Sequence, residues 1–110
     1  MDWYGEQDFK SSFGTLQRET YATAKAHGFQ EREGEALYVP TKLALIMSEG
    51  AEALEAHRQG KSEDLGHELA DIVIRSMDLA ESLGIDLAKE ILTKAAFNAN
   101  RPYKHGNKLY

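Results

Sequence analysis

Proline placement constrains this chain more than any other feature. Only Pro40 and Pro102 are present, and the whole stretch between them lacks a proline. Proline inside a helix costs about 3 kcal/mol, so this stretch is free to be helical. Its filling agrees: the chain holds 14 Ala and 12 Leu but only two Val, a composition that favours helix over strand. The spacing predicts four helices. The first runs roughly over 7–27, with Phe9, Phe13, Leu16 and Ala24 on one face and Gly28 as its C-terminal stop. The loop 31–38 shows no periodicity. A second helix starts near Thr41, just after Pro40, and runs to about Gln59, with Leu43, Ile46, Met47, Gly50 and Leu54 recurring at steps of three and four. Gly60 ends it and Ser62 offers a cap for the third, whose Leu65, Leu69, Ile72, Ser76, Leu79 and Leu83 form a helix-packing seam. Gly84 closes the third helix, and Asp86 caps a fourth that carries Leu87, Ile91 and Ala95. From Asn100 onward the chain reads as an extended tail.

The expected architecture is therefore all-α, an antiparallel bundle of about four helices. At 110 residues the chain suits one domain spanning 1–110, with a core small enough to make help from a second copy expected. No run approaches the ~18–20 apolar residues of a membrane span. The acidic Met1–Phe9 start lacks the basic and apolar regions of a secretion signal. With no cysteine, there is no disulfide framework, no thiolate metal ligand and no thiol nucleophile. These features lead to a cytoplasmic expectation. The net charge of −5 argues against broad nucleic-acid binding. Its distribution is uneven: no acid follows Glu90, whereas Lys94, Arg101, Lys104 and Lys108 do. An acidic body with a basic end suits a metal-bound polyanion held between them.

Two acidic pairs carry the chemistry. Glu49 and Glu52 are three apart on the second helix, and Glu68 and Asp71 three apart on the third, so each pair shares one helical face. The short turn at Gly60–Ser62 makes the two helices antiparallel neighbours. Glu52 lies eight residues before Gly60 and Glu68 eight after it, which sets the pairs at similar height. Both border apolar positions, where exposure is reduced. Gathered carboxylates repel and raise one another's pKa unless a cation intervenes, and an oxygen-only set suits a hard ion such as Mg²⁺, with Mn²⁺ as a substitute. Either pair alone reads as a solvated helix face, and Arg75, four residues after Asp71, offers a simple ion pair.

S-E-G-A-E at Ser48–Glu52 followed by E-L-A-D at Glu68–Asp71 resembles the E-x-x-E … E-x-x-D signature of the all-α nucleotide pyrophosphohydrolases of the MazG type. Leu83–Leu87 and Lys94–Gly106 resemble the end of small single-domain members, and Ser48 departs from the additional Glu that many relatives carry. The resemblance implies hydrolysis of a nucleoside triphosphate, preferentially a deoxynucleotide, to monophosphate and pyrophosphate in nucleotide house-cleaning. It implies Mg²⁺ on Glu49, Glu52, Glu68 and Asp71, with Glu49 or Glu52 orienting the attacking water. It also implies phosphate contacts from Lys94, Asn98 and Arg101, and a helical core shared between subunits of a homodimer or homotetramer. An all-α dUTPase and a phosphoribosyl-ATP pyrophosphohydrolase are close alternatives. Two other classes compete: a di-iron bundle, disfavoured because no E-x-x-H is present, and a non-enzymatic helical interaction module with solvated acidic faces.

Trp3, Tyr4, Phe9, Phe13 and Tyr21 are core residues or base-stacking rings. Lys42 is a surface lysine within reach of a phosphate. Tyr103, Lys104 and His105 either close over the ligand or pack on a second subunit. His57 and His67 read as exposed, and Glu55 and Asp78 as outer or solvated acids.

Overall fold

A computed structural model describes residues 5–103; Trp3, Tyr4, Lys104, His105 and Lys108 lie outside the described residues. The described chain is all-helical. Its elements are α1 (Glu6–Ala26), α2 (Tyr38–Arg58), α3 (Ser62–Ser82) and α4 (Leu87–Ala99).

Local chemistry fixes most of these boundaries. The first three helices end alike, each with a glycine in the left-handed region: Gly28 at φ 85°, Gly60 at φ 70° and Gly84 at φ 69°. After α2, Gly60 N–H donates to His57 O and Lys61 N–H to Ala56 O, the paired bonds of a Schellman motif. The turns after α1 and α3 repeat it. Asp86 caps α4 as expected, its carboxylate accepting from Lys89 N–H at 3.1 Å. Two boundaries differ from expectation. Helix α2 begins at Tyr38, with Pro40 inside its first turn, because the first N–H groups of a helix need no intrahelical acceptor and a missing one costs little. Lys61, not Ser62, occupies the cap position of α3, and no side chain caps it.

Helices α2 and α3 form the central antiparallel hairpin, α1 packs on α3, and α4 packs on α1. Buried Gln17 ties α1 to the end of α3, donating at 3.0 Å to both Glu81 Oε1 and Ile85 O.

The apolar stripes are distributed differently from the sequence expectation. On α2, the positions turned inward are Glu49, Ala53 and Ala56, whereas Met47 and Leu54 are 75% and 51% exposed. On α3, Leu79 of the seam is buried, but Leu69 and Leu83 are about half exposed. Met77 is the only large side chain among the described residues that is fully enclosed. Alanines occupy the inward face of α2, and Met47, Leu54, Leu69 and Val73 stay at the surface.

Candidate metal centre

The inward stripe of α2 carries a carboxylate where the next two positions carry methyl groups. Glu49, four residues before Ala53, is 6% exposed. Opposite it, α3 presents half-buried Glu68 and exposed Asp71. One oxygen from each of Glu49, Glu68 and Asp71 falls within 4.8 Å of the others. Exposed Glu52 flanks the three and interacts with both Glu49 and Glu68. All four acids of the predicted set thus gather on one side of the hairpin, three of them in a tight cluster.

Arg75 departs from the simple expectation. Rather than pairing with Asp71, its Nε donates to Glu49 Oε1 at 2.8 Å. Among the described residues, Glu49 Oε2 is left buried with no donor, and Glu68 Oε2 is in the same condition. Two ionised carboxylates cannot satisfy one another; either a shared proton or a cation resolves the deficit. Without a cation the proton settles on Glu68. Its pKa rises to about 7 through hydrogen bonding to Glu49, desolvation, and the nearby Glu52. For Glu49, burial pushes upward, but the hydrogen bonds from Arg75, Glu68 and Glu52 outweigh it and hold the carboxyl below its ordinary value.

A cavity of about 200 Å³ opens beside the cluster and shares Asp71 and Arg75 with it. Its other polar walls come from Gln30, Tyr38, Lys42 and Asp78. Tyr38 and Gln30 are both buried, and the Tyr38 hydroxyl donates to Gln30 Oε1. Lys42 is more than a surface lysine: its Nζ donates to Phe29 O at 2.6 Å and lies 5.3 Å from the Tyr38 ring centroid, which fastens the α1–α2 loop to α2. Asp78, expected to be outer or solvated, is half-buried, with Oδ1 enclosed and without a partner. Burial pushes its pKa up, against the hydroxyl of Thr20 and the charges of Lys42 and Arg75.

The cationic triplet stands elsewhere in the single chain. Lys94 and Asn98 line a shallow concavity on α4 together with Leu87 and Ile91, and none of the four acids borders it. Lys94 Nζ and the Arg101 guanidinium lie 4.6 and 4.9 Å from the centroid of the Phe97 ring, so cation–π attraction groups both charges around that residue. Of the aromatic candidates, Phe9 and Phe13 pack on each other with centroids 5.4 Å apart. Tyr21 hydrogen-bonds Glu33, which drives its pKa up to about 12. His57 and His67 are exposed.

Sequence reasoning missed the cavity, for an identifiable reason. Part of its lining comes from Phe29 and Gln30 in the α1–α2 connection, where no pattern marks a buried residue. A signal for Asp78 did exist, since it lies seven residues after Asp71 and so on the same face of α3. Comparison with protein-family models, curated proteins and solved structures returns no match for this chain.

Proposed function

We propose that this protein is a Mg²⁺-dependent nucleoside triphosphate pyrophosphohydrolase of the MazG-like kind, forming nucleoside monophosphate and pyrophosphate. The observation that carries the reading is the Glu49–Glu68–Asp71 cluster with two buried carboxylate oxygens that lack any donor. A hard divalent ion fits that set: the ligand atoms are all carboxylate oxygens, and a positive charge removes the repulsion that otherwise keeps a proton on Glu68. Glu49, Glu68 and Asp71 hold the ion, with Glu52 completing the shell from the exposed side.

Bound there, Mg²⁺ supplies neutralisation of the triphosphate and polarisation of the attacked phosphorus. The residues supply position. Arg75 holds Glu49 Oε1 and leaves Oε2 free for the ion. Glu52, the most accessible carboxylate of the α2 pair, is placed to orient a water and accept its proton. That water forms the new bond to the α-phosphorus as the α–β anhydride breaks, and pyrophosphate leaves. Lys94, Asn98 and Arg101 match the residue types that bind phosphate, with arginine offering bidentate contact. Their place on α4 suits service to the site of a second copy. The exposed Met47, Leu54, Leu69 and Val73 on α2 and α3 support pairing through these helices, in a homodimer or a homotetramer.

The test is pyrophosphate release from ribo- and deoxynucleoside triphosphates with Mg²⁺ and with EDTA. Mg²⁺-dependent formation of monophosphate is expected, and Glu52→Gln and Asp71→Asn should abolish it with unchanged circular dichroism. Absence of turnover with every nucleotide, and no thermal shift from Mg²⁺, would leave a helical interaction module as the better reading.

A further inference from the structure

We infer that the cavity beside the carboxylate cluster is a nucleobase pocket in which Asp78 selects bases bearing an exocyclic amino group over their keto counterparts. This inference rests on the nucleotide reading above and names the substrate class for that same site.

Three features of the cavity point to a base. Its position comes first: sharing Asp71 and Arg75 with the cluster, it opens directly beside the proposed ion. Size is the second. About 200 Å³ is below the ~300–1,000 Å³ of pockets that enclose drug-sized ligands, so it suits a ring and not a whole nucleotide. The third is the lining. Phe29, Leu45, Ile74 and Leu79 offer apolar surface to the faces of a flat ring, while the polar groups meet its edge.

The edge chemistry sets the selection. Asp78 Oδ1 is enclosed and has no donor, so an ionised Asp78 offers an acceptor that solvent reaches poorly. Gln30 accepts from Tyr38 through Oε1, and among the described residues no hydrogen bond engages its amide nitrogen, which remains a donor. An acceptor on α3 and a donor from the α1–α2 loop, both lining the cavity, complement an edge that carries an amino N–H beside a ring nitrogen or carbonyl. Cytosine and adenine present that edge. Uracil and hypoxanthine place a carbonyl oxygen where the amino group would be, against the carboxylate. An unmatched buried acceptor is costly, and a hydrogen bond to a charged group contributes more than a neutral one. The preference expected for an amino base is therefore about 10- to 100-fold in affinity.

Isothermal titration with α,β-methylene triphosphates tests this without turnover. The full chain is titrated at pH 8 in Mg²⁺ with the matched pairs cytidine–uridine and adenosine–inosine. The amino member of at least one pair should bind 10-fold or more tighter. Asp78→Asn, which keeps the shape and adds a donor, should compress or reverse that ratio. Equal affinities within both pairs for the wild type, or an unchanged ratio in Asp78→Asn with native circular dichroism, overturns the inference. The two readings fail separately. Hydrolysis with equal affinities defeats the pocket but keeps the enzyme, whereas base-selective binding without hydrolysis keeps the pocket and defeats the enzyme.

Discussion

If Glu68 carries the proton that a metal ion must displace, Mg²⁺ binding follows a defined pH course. Glu68 titrates at about 7, so about nine-tenths of it is ionised at pH 8 and about one-tenth at pH 6. Only the ionised form is a full ligand. The apparent dissociation constant for Mg²⁺ should therefore rise about tenfold from pH 8 to pH 6, with close to one proton released per ion at the lower pH. Glu68→Gln should weaken binding and flatten the pH course. Titration calorimetry in two buffers of different ionisation enthalpy gives both the affinity and the proton count. The same group sets the sign of apo-protein stability. Its folded-state pKa lies above the ordinary 4.5, so the folded chain binds more protons than the unfolded one between about pH 4.5 and 7, and stability falls as pH rises through that window. Asp78, also raised, acts in the same direction. Glu49, held low, acts oppositely, but only as pH drops below its ordinary range. Melting in EDTA should thus show a lower midpoint at pH 8 than at pH 6, and Mg²⁺ should narrow the difference. An affinity that changes less than twofold between pH 8 and 6, with no proton released, refutes the shared-proton account of the cluster.

Other features of the fold yield tests of their own. Met77→Ala removes a large, fully enclosed side chain and should cost about 2–5 kcal/mol in urea unfolding. Gly60→Ala has open space around the new methyl group but a φ of 70°, so it should cost about 1 kcal/mol from backbone strain alone, read by the same unfolding curves. Val73→Glu alters a residue that is half exposed in the single chain. Light scattering after gel filtration should show it as a smaller species than the wild type while its helical circular dichroism persists. An unchanged mass would move the proposed interface off this face.

Element existence and the acidic set were legible in the sequence because each rests on short-range physics. Glycine at the ends of three helices and Asp86 before the fourth act within one turn, and no tertiary contact overrides them. The i, i+3 pairs and the short turn at Gly60 sufficed to bring Glu49, Glu68 and Asp71 together. What the sequence hid was the choice of face. The Leu43–Met47–Leu54 stripe has the right period for a core, yet α2 turns Ala53 and Ala56 toward α3. Periodicity marks a stripe as apolar, not which face of the helix turns toward its neighbour. Arg75 was ambiguous for a related reason: local spacing offered Asp71, and only the approach of α2 made Glu49 the nearer partner.

The stripe Glu49–Ala53–Ala56 also bears on why the acids are there. Ala53 and Ala56 demonstrate that a methyl group fits the α2–α3 interface, so packing alone gives no reason for a carboxylate one turn earlier. Glu49 occupies that position at the expense of desolvation, takes up the Arg75 guanidinium and still leaves an oxygen without a donor. A buried ion pair commonly gives no more stability than the apolar group it replaces. With Glu52, Glu68 and Asp71 crowded against it, the single arginine leaves the site short of positive charge. A fold that follows local rules at the glycines closing α1, α2 and α3 and at the Asp86 cap, yet leaves two carboxylate oxygens of this cluster without donors, marks the cluster as set by something other than stability. On the reading proposed here, that demand is a divalent cation with a phosphate chain upon it, and the same ion that enables the chemistry completes the charge balance of the hairpin.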